Sequence, residues 1–273
     1  MVKDDSLHMN LKTGPLLFDM SEENDIDFPV EFLPIIKENE SYIYSQSKKV
    51  LSVIVQYKEL LMMYTCALKE IRTRFEILDA EFSVQNRRNP INFINTRLKS
   101  TSSIIEKMKR IKVPVSVENI EENVDDVAGI RVICSYVDDI FLISQALVKQ
   151  ADIELISQKD YISDPKPNGY RSMHMIVRIP IHFENDIKYV KVEVQIRTIA
   201  MDFWATLEHE LLYKNRTIDR EEIAAELKEC AEIISGADTK MLSIRKRIED
   251  SNDSYSEDEE LLQQLKKIDL SIS

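Results

Sequence analysis

Glu193 stands in KYVKVEVQI (188–196), where Lys191, Glu193 and Gln195 alternate with Val190, Val192, Val194 and Ile196. Strict alternation makes a strand with one apolar and one wet face, and Arg197 follows directly. The candidate strand SMHMIVRIP (172–180) has the same character. Tyr170, Ser172 and His174 fall on one side, and Met173, Met175, Val177 and Ile179 on the other. In GIRVICSY (129–136), Arg131 opposes Ile130 and Val132. Acid, base, imidazole and aromatic groups on one face of three strands describe a lined cleft.

A second group carries positive charge. Lys99, Ser103, Lys107 and Arg110 are spaced by four, four and three, so they share one helical face, with Arg97 just before it. Ile104, Ile105, Met108 and Ile111 supply the buried side. Residues 97–112 hold six bases and one acid. A cationic face with a hydroxyl in the stripe suits a polyphosphate. Asp125 and Asp126 precede the GIRVI strand. With Glu193, one of them could complete a carboxylate pair for Mg²⁺, which takes one or two protein carboxylates and fills its shell from water and phosphate. Asp202 and His209 share a face of a predicted helix, with Thr206 between them.

These groups need a scaffold, and the chain of 273 residues supplies one. Apolar residues make up 44% and charged residues 31%, enough for a real core. Four scattered glycines (Gly14, Gly129, Gly169, Gly236) exclude a Walker loop or a GxGxxG turn. Phosphate must therefore be held largely by side chains. A net charge of −12 argues against a general nucleic-acid binder. Three separated cysteines without a CxxC pair argue against a zinc or disulfide framework and fit a reducing cytoplasm. No signal core opens the chain, and the longest apolar run, near Leu60–Leu68, is too short to span a bilayer.

The predicted organisation is threefold. Residues 1–42 are an acidic, loosely ordered extension; residues 1–45 hold ten acids against three bases. Residues 43–250 form the globular domain, and 251–273 an acidic linker with a short helix at 259–269. Helical spacing runs through Val50, Ile54, Tyr57, Leu61, Tyr64, Leu68, Ile71, Phe75, Leu78 and Phe82. A second seam runs through Ile223, Leu227, Cys230, Ile234, Ala237, Met241, Ile244 and Ile248, interrupted at Gly236. Both seams suit core packing, and part of them an oligomer interface. Strands are expected at 129–136, 153–159, 172–180 and 188–196, and helices at 100–111, 138–150 and 198–213.

The runs TRLKSTSSIIEKMKR (96–110), VDDVAGIRVICSY (124–136), KPNGYRSMH (166–174) and VEVQIRTIAMDFWATLEHELLYK (192–214) resemble the synthetase domain of RelA/SpoT-type proteins. The short length resembles the small alarmone synthetases. The hydrolase domain of the long members is not expected, since none of the four histidines starts an HD pair.

The resemblance implies an α+β fold, a mixed central sheet flanked by helices and akin to nucleotidyltransferases, with long N- and C-terminal helices. It implies transfer of pyrophosphate from ATP to the 3′-hydroxyl of GTP or GDP, giving (p)ppGpp and AMP. By the same resemblance Arg97, Lys99, Ser103, Lys107 and Arg110 grip the ATP phosphates and Arg131 lies near adenine. Asp126 and Glu193 are the catalytic pair and the Mg²⁺ ligands, Glu193 drawing the proton from the hydroxyl. Tyr170 stacks on guanine, and Lys166, Asn168, Ser172, His174, Gln195, Asp202 and His209 complete the acceptor pocket. Asp202 stands where many relatives carry Asn. A homotetramer in the cytoplasm, with no membrane or nucleic-acid partner, is expected. Two other readings compete: a nucleotidyltransferase acting on a polynucleotide end, which the acidic surface disfavours, and a non-catalytic guanine-nucleotide sensor, which the presence of both carboxylates disfavours.

Overall fold

The alternating segments pair into one sheet. In the computed structural model, which describes residues 33–86, 88–214 and 220–252, five strands lie in the order β1-β2-β5-β4-β3. They are β1 (Ile91–Leu98), β2 (Ala128–Cys134), β3 (Glu154–Asp160), β4 (Met173–His182) and β5 (Ile187–Thr198). Only β2 and β5 run parallel; the other three pairs are antiparallel. The helices are α1 (Leu33–Asn86), α2 (Thr101–Ile111), α3 (Val117–Asn123), α4 (Val137–Val148), α5 (Ile199–Lys214) and α6 (Arg220–Asn252). This is the expected mixed sheet with flanking helices. The chain divides into a unit ending at Val53 and a unit from Ile54 onward. The expected helix at 259–269 and most of the expected extension lie outside the described residues.

Register decides which side chains meet. One row across the sheet reads Asn95, Arg131, Gln195, His174, Lys159. The next row on the same face reads Arg97, Gly129, Glu193, Ile176, Ser157. Partnered residues share a face, so both rows line one surface. The rows between them, such as Ile130, Val194 and Met175, are buried. They share one core with Tyr64, Leu68, Ile71 and Phe75 of α1 and Ile140, Ile143 and Leu147 of α4.

Three expectations are corrected. β1 is a strand that apolar alternation does not reveal, because only Ile91 of INFINTRL is buried and asparagines interrupt the pattern. Arg97, expected at a helix entrance, therefore lies on this edge strand beside Gly129. The first helix begins at Leu33, not near 43, and its Lys48–Gln85 stretch is long and apolar enough to cross a membrane by length and composition. Ile71 and Phe75 within it are fully buried in the sheet's core, so this part of α1 is a core helix.

The third correction concerns α6. It runs unbroken through Gly236, and it is rotated so that Leu227 and Ile234 of the expected seam pack on the Trp204 cluster while the later seam residues do not. Ala231, Ile234, Asp238 and Arg245 turn inward, whereas Cys230, Met241, Ile244 and Ile248 are exposed. Polar anchors set this rotation. Thr198 Oγ1 donates to Asp238 Oδ2 at 2.6 Å, and Arg245 pairs with Asp138. Arg88 forks onto the buried Asp139 at 2.5 and 2.8 Å beside it.

Candidate active site

The basic segment is built by a capped helix. Ser100 caps α2 by accepting from Ser103 N–H, and the Ser100 and Ser103 hydroxyls lie 2.8 Å apart. Lys112 ends the helix in the left-handed conformation at φ 59°. Ile104 and Met108 bury the apolar side, which turns Lys107 toward the sheet. There Lys107 Nζ donates to Asp126 Oδ1 at 2.6 Å and Lys99 Nζ to Asp126 Oδ2 at 2.8 Å. Burial opposes ionisation of Asp126, but the two ammoniums outweigh it and hold its carboxyl below the ordinary aspartate value. Arg110 and Arg97 are exposed.

Glu193 lies next to this pair. Gly129 separates Arg97 from Glu193 in the register, and a Cβ there would come to 4.0 Å from Glu193 Oε2. Any longer side chain at 129 would enter the space the carboxylate faces. Glu193 Oε2 accepts from Gln195 Nε2 at 3.0 Å, and Oε1 lies 3.7 Å from His174 Nδ1, beyond hydrogen-bond length. Burial again opposes ionisation; His174 and Gln195 outweigh it together, against repulsion from Asp126. Glu193 therefore sits below its ordinary value. Both carboxylates are ionised near neutrality, close enough to repel. Hard oxygen donors in that state fit Mg²⁺.

Beyond His174 lies an aromatic pocket. Tyr170 and His174 share a hydrogen bond of 2.7 Å between the hydroxyl and Nε2. Tyr161 meets both rings edge-on, at 6.1 Å from Tyr170 and 5.3 Å from His174. Lys166 Nζ lies between the two tyrosines, 4.7 Å from one ring centroid and 4.6 Å from the other. Asn168 Nδ2 donates to Glu208 and its Oδ1 accepts from Tyr170 N–H, which fixes the turn. Gly169 makes that turn possible at φ +87°, and a Cβ there would stand 2.5 Å from Ala231 Cβ. Gly169→Ala should accordingly cost roughly 1–3 kcal/mol, through left-handed strain and overpacking. Thermal unfolding measures this; an unchanged midpoint would mean that α6 does not press on the turn.

Arg197 is the residue that sequence reasoning left without a role. Its side chain is 5% exposed. It donates to the Tyr170 hydroxyl and, at 2.7 Å, to Gln195 Oε1. It also donates to Asp202 Oδ1 at 3.2 Å and Ser172 Oγ at 3.4 Å. Arg131 Nη1 reaches the same Asp202 Oδ1 at 3.0 Å. The signal was present: position 197 continues the polar parity of 191, 193 and 195. Tyr161 was missed as well, lying one residue beyond an edge strand with no periodic partner.

Of the predicted residues, Arg97, Lys99, Lys107, Asp126, Arg131, Tyr170, His174, Glu193, Gln195 and Asp202 gather around this face. Ser172 is fully buried and braces Arg197 and the Ile196 carbonyl. His209 lies on the exposed side of α5, away from the buried Trp204, whose Nε1 donates to the Leu227 carbonyl.

Residues 96–218 match the model of the region found in RelA/SpoT proteins. The GTP pyrophosphokinase YwaC of Bacillus subtilis is 41% identical over 198 residues, which cover 72% of this chain and 94% of that protein. YjbM from the same organism is 34% identical over 201 residues, covering 74% and 94%. The solved structure of small alarmone synthetase 2 from Bacillus subtilis aligns with a TM-score of 0.63 at 43% identity, over 70% of this chain and 98% of that one. Small alarmone synthetase 1, bound to its product pppGpp, aligns with a TM-score of 0.64 at 35% identity, over 71% and 98%. By these matches the chain belongs to the RelA/SpoT-type family, in its small alarmone synthetase branch.

Proposed function

We propose that the chain is a GTP pyrophosphokinase, moving the β,γ-pyrophosphate of ATP to the 3′-hydroxyl of GTP or GDP. The observation that carries this reading is the position of Glu193, between the Asp126–lysine cluster on one side and the Tyr170–His174–Arg197 pocket on the other. In the reaction the 3′-oxygen bonds to the β-phosphorus, the bond from the β-phosphorus to the α-bridging oxygen breaks, and AMP leaves. The hydroxyl proton passes to Glu193. Catalysis of this kind is mostly alignment and charge neutralisation.

The donor side is supplied by Arg97, Lys99, Ser103, Lys107 and Arg110, with the N-terminus of α2 adding its dipole. A polyphosphate would compete with Asp126 for Lys99 and Lys107, and Asp126 and Glu193 would be the carboxylates to hold Mg²⁺. Held there, the ion would supply neutralisation of phosphate charge. The acceptor base stacks at Tyr170, where Lys166 now lies.

Incubation with γ-labelled ATP and GTP or GDP, followed by separation of the products, tests the reading. Labelled tetra- or pentaphosphate with AMP supports it; label only in free phosphate or pyrophosphate overturns it. Lys99→Ala and Arg110→Ala should each weaken ATP several-fold more than GTP in separate titrations. Equal losses for both nucleotides would remove α2 from the donor side.

The same reading includes a homotetramer in the cytoplasm. Support comes from the exposed apolar positions Ile233, Met241, Ile244 and Ile248 on α6, which solvent alone does not explain. Three free cysteines suit a reducing compartment.

A further inference from the structure

Two guanidiniums share one oxygen at the boundary between the two subsites. Arg131 Nη1 and Arg197 Nη1 both donate to Asp202 Oδ1, at 3.0 and 3.2 Å. The two arginines are not equally free. Arg131 is 38% exposed, and Asp202 is the partner it shows. Arg197 is 5% exposed and is tied to Tyr170, Gln195 and Ser172 besides. Burial lowers the pKa of Arg197, and the charge of Arg131 adds to that strain, with Tyr170 and Asp202 opposing it. Two cations thus lean on a single anion, and only one of them is able to leave.

We propose that Asp202 couples the nucleotide subsites, tightening the acceptor pocket when the donor nucleotide engages Arg131. This rests on the reading above, in which ATP takes Arg131 and the purine of GTP or GDP takes Tyr170. Without ATP, Arg131 competes for the Asp202 oxygen. With ATP bound, Arg131 turns to the nucleotide and Asp202 closes fully on Arg197. Arg197 then holds the Tyr170 hydroxyl more firmly, and the ring is fixed for stacking. Hydrogen bonds between charged groups in a water-poor site strengthen as competitors leave. Linkage makes the effect reciprocal: GDP must tighten ATP by the same factor that ATP tightens GDP.

The test is calorimetric titration of GDP with and without saturating α,β-methylene ATP, which the enzyme cannot cleave. Wild type should show tighter GDP in the presence of the analogue, within the roughly 5- to 150-fold range of such couplings. Asp202→Asn should bring that factor, the ratio of GDP affinities with and without the analogue, near one, whatever its effect on either nucleotide alone. Arg131→Ala, at a half-exposed position, should tighten GDP in the absence of any ATP analogue, because the competing cation is gone. A role confined to holding adenine would leave GDP untouched by Arg131→Ala, and that result overturns the coupling. So does a wild type that binds both nucleotides independently, or an Asp202→Asn factor equal to wild type. Failure of either nucleotide to bind wild type would instead overturn the synthetase reading, and this inference with it.

Discussion

Glu193→Gln should lower the rate of synthesis by about 10²- to 10⁴-fold, the usual loss on removing a general base, while ATP affinity stays near wild type. The amide keeps the shape and can still bond with Gln195, whose contact with Glu193 Oε2 is 3.0 Å. What it loses is the ability to take the 3′-hydroxyl proton. The direction of the pKa shift adds a second expectation. Glu193 is depressed below its ordinary 4.5 by His174 and Gln195 despite burial. A carboxylate depressed on folding is ionised, and stabilising, above its unfolded value; that contribution fades as pH falls through the lower, folded value. The acid limb of kcat/KM due to this group should therefore lie below pH 4.5, and Glu193 should not limit the rate near neutrality. Steady-state kinetics across pH, on wild type and Glu193→Gln, measures both. Near wild-type turnover in the variant would remove Glu193 from proton transfer.

Much of this site could be read from residue order alone, because strands write their two faces into alternate letters. Glu193, Gln195 and His174 were placed on one surface by parity, and the register confirms that Gln195 opposes His174 and Arg131. What parity cannot give is the depth of a position along its strand. Ser172 keeps the parity of His174, yet it is fully buried because Arg197 lies over it. Arg197 itself continues the series but is covered by partners from the 170–172 loop, its own strand and α5. Its roles depend on Tyr170, 27 residues earlier, and on Asp202 in the next helix.

The donor segment shows the same boundary between local and distant information. Spacing put Lys99 and Lys107 on one helical face; with α2 capped at Ser100 and Lys112, Lys107 lies on the helix but Lys99 lies just before its cap. Their partner is 27 and 19 residues away. Only the antiparallel pairing of β1 with β2 brings Asp126 under them, and β1 is the strand that hydrophobic alternation missed. The rotation of α6 failed for a related reason. Helical periodicity counts apolar residues, but the inward face of α6 is set by Ala231 against Gly169, Asp238 on Thr198 and Arg245 on Asp138. Small and charged residues share the packing with Leu227 and Ile234, so Met241, Ile244 and Ile248 of the apolar stripe are left outside.

Tyr170→Ala should weaken GTP by about 5- to 150-fold, the affinity equivalent of losing roughly 1–3 kcal/mol of base stacking, while ATP binding alone changes little. The structure adds a stability cost that sequence spacing does not suggest. Tyr170 packs on the Trp204–Ala205–Ala231 cluster, so truncation should also destabilise the fold. It is only half-buried, so the loss should be about 1–3 kcal/mol, below the 3–5 kcal/mol of a fully buried aromatic. Tyr170→Phe separates the ring from the hydroxyl. Phe keeps the stacking surface but deletes the acceptor for Arg197 and the partner of His174. Arg197 retains Gln195 and Asp202, so the fold should survive. Tyr170→Phe should therefore bind GTP between wild type and Tyr170→Ala, with the difference from wild type reporting how far Arg197 fixes the ring. Titrations of GTP and ATP, run well below each variant's melting temperature, measure the two effects apart. If Tyr170→Ala destabilises the fold yet leaves GTP affinity intact, the tyrosine closes a turn over the α5–α6 cluster and the guanine lies elsewhere on the sheet.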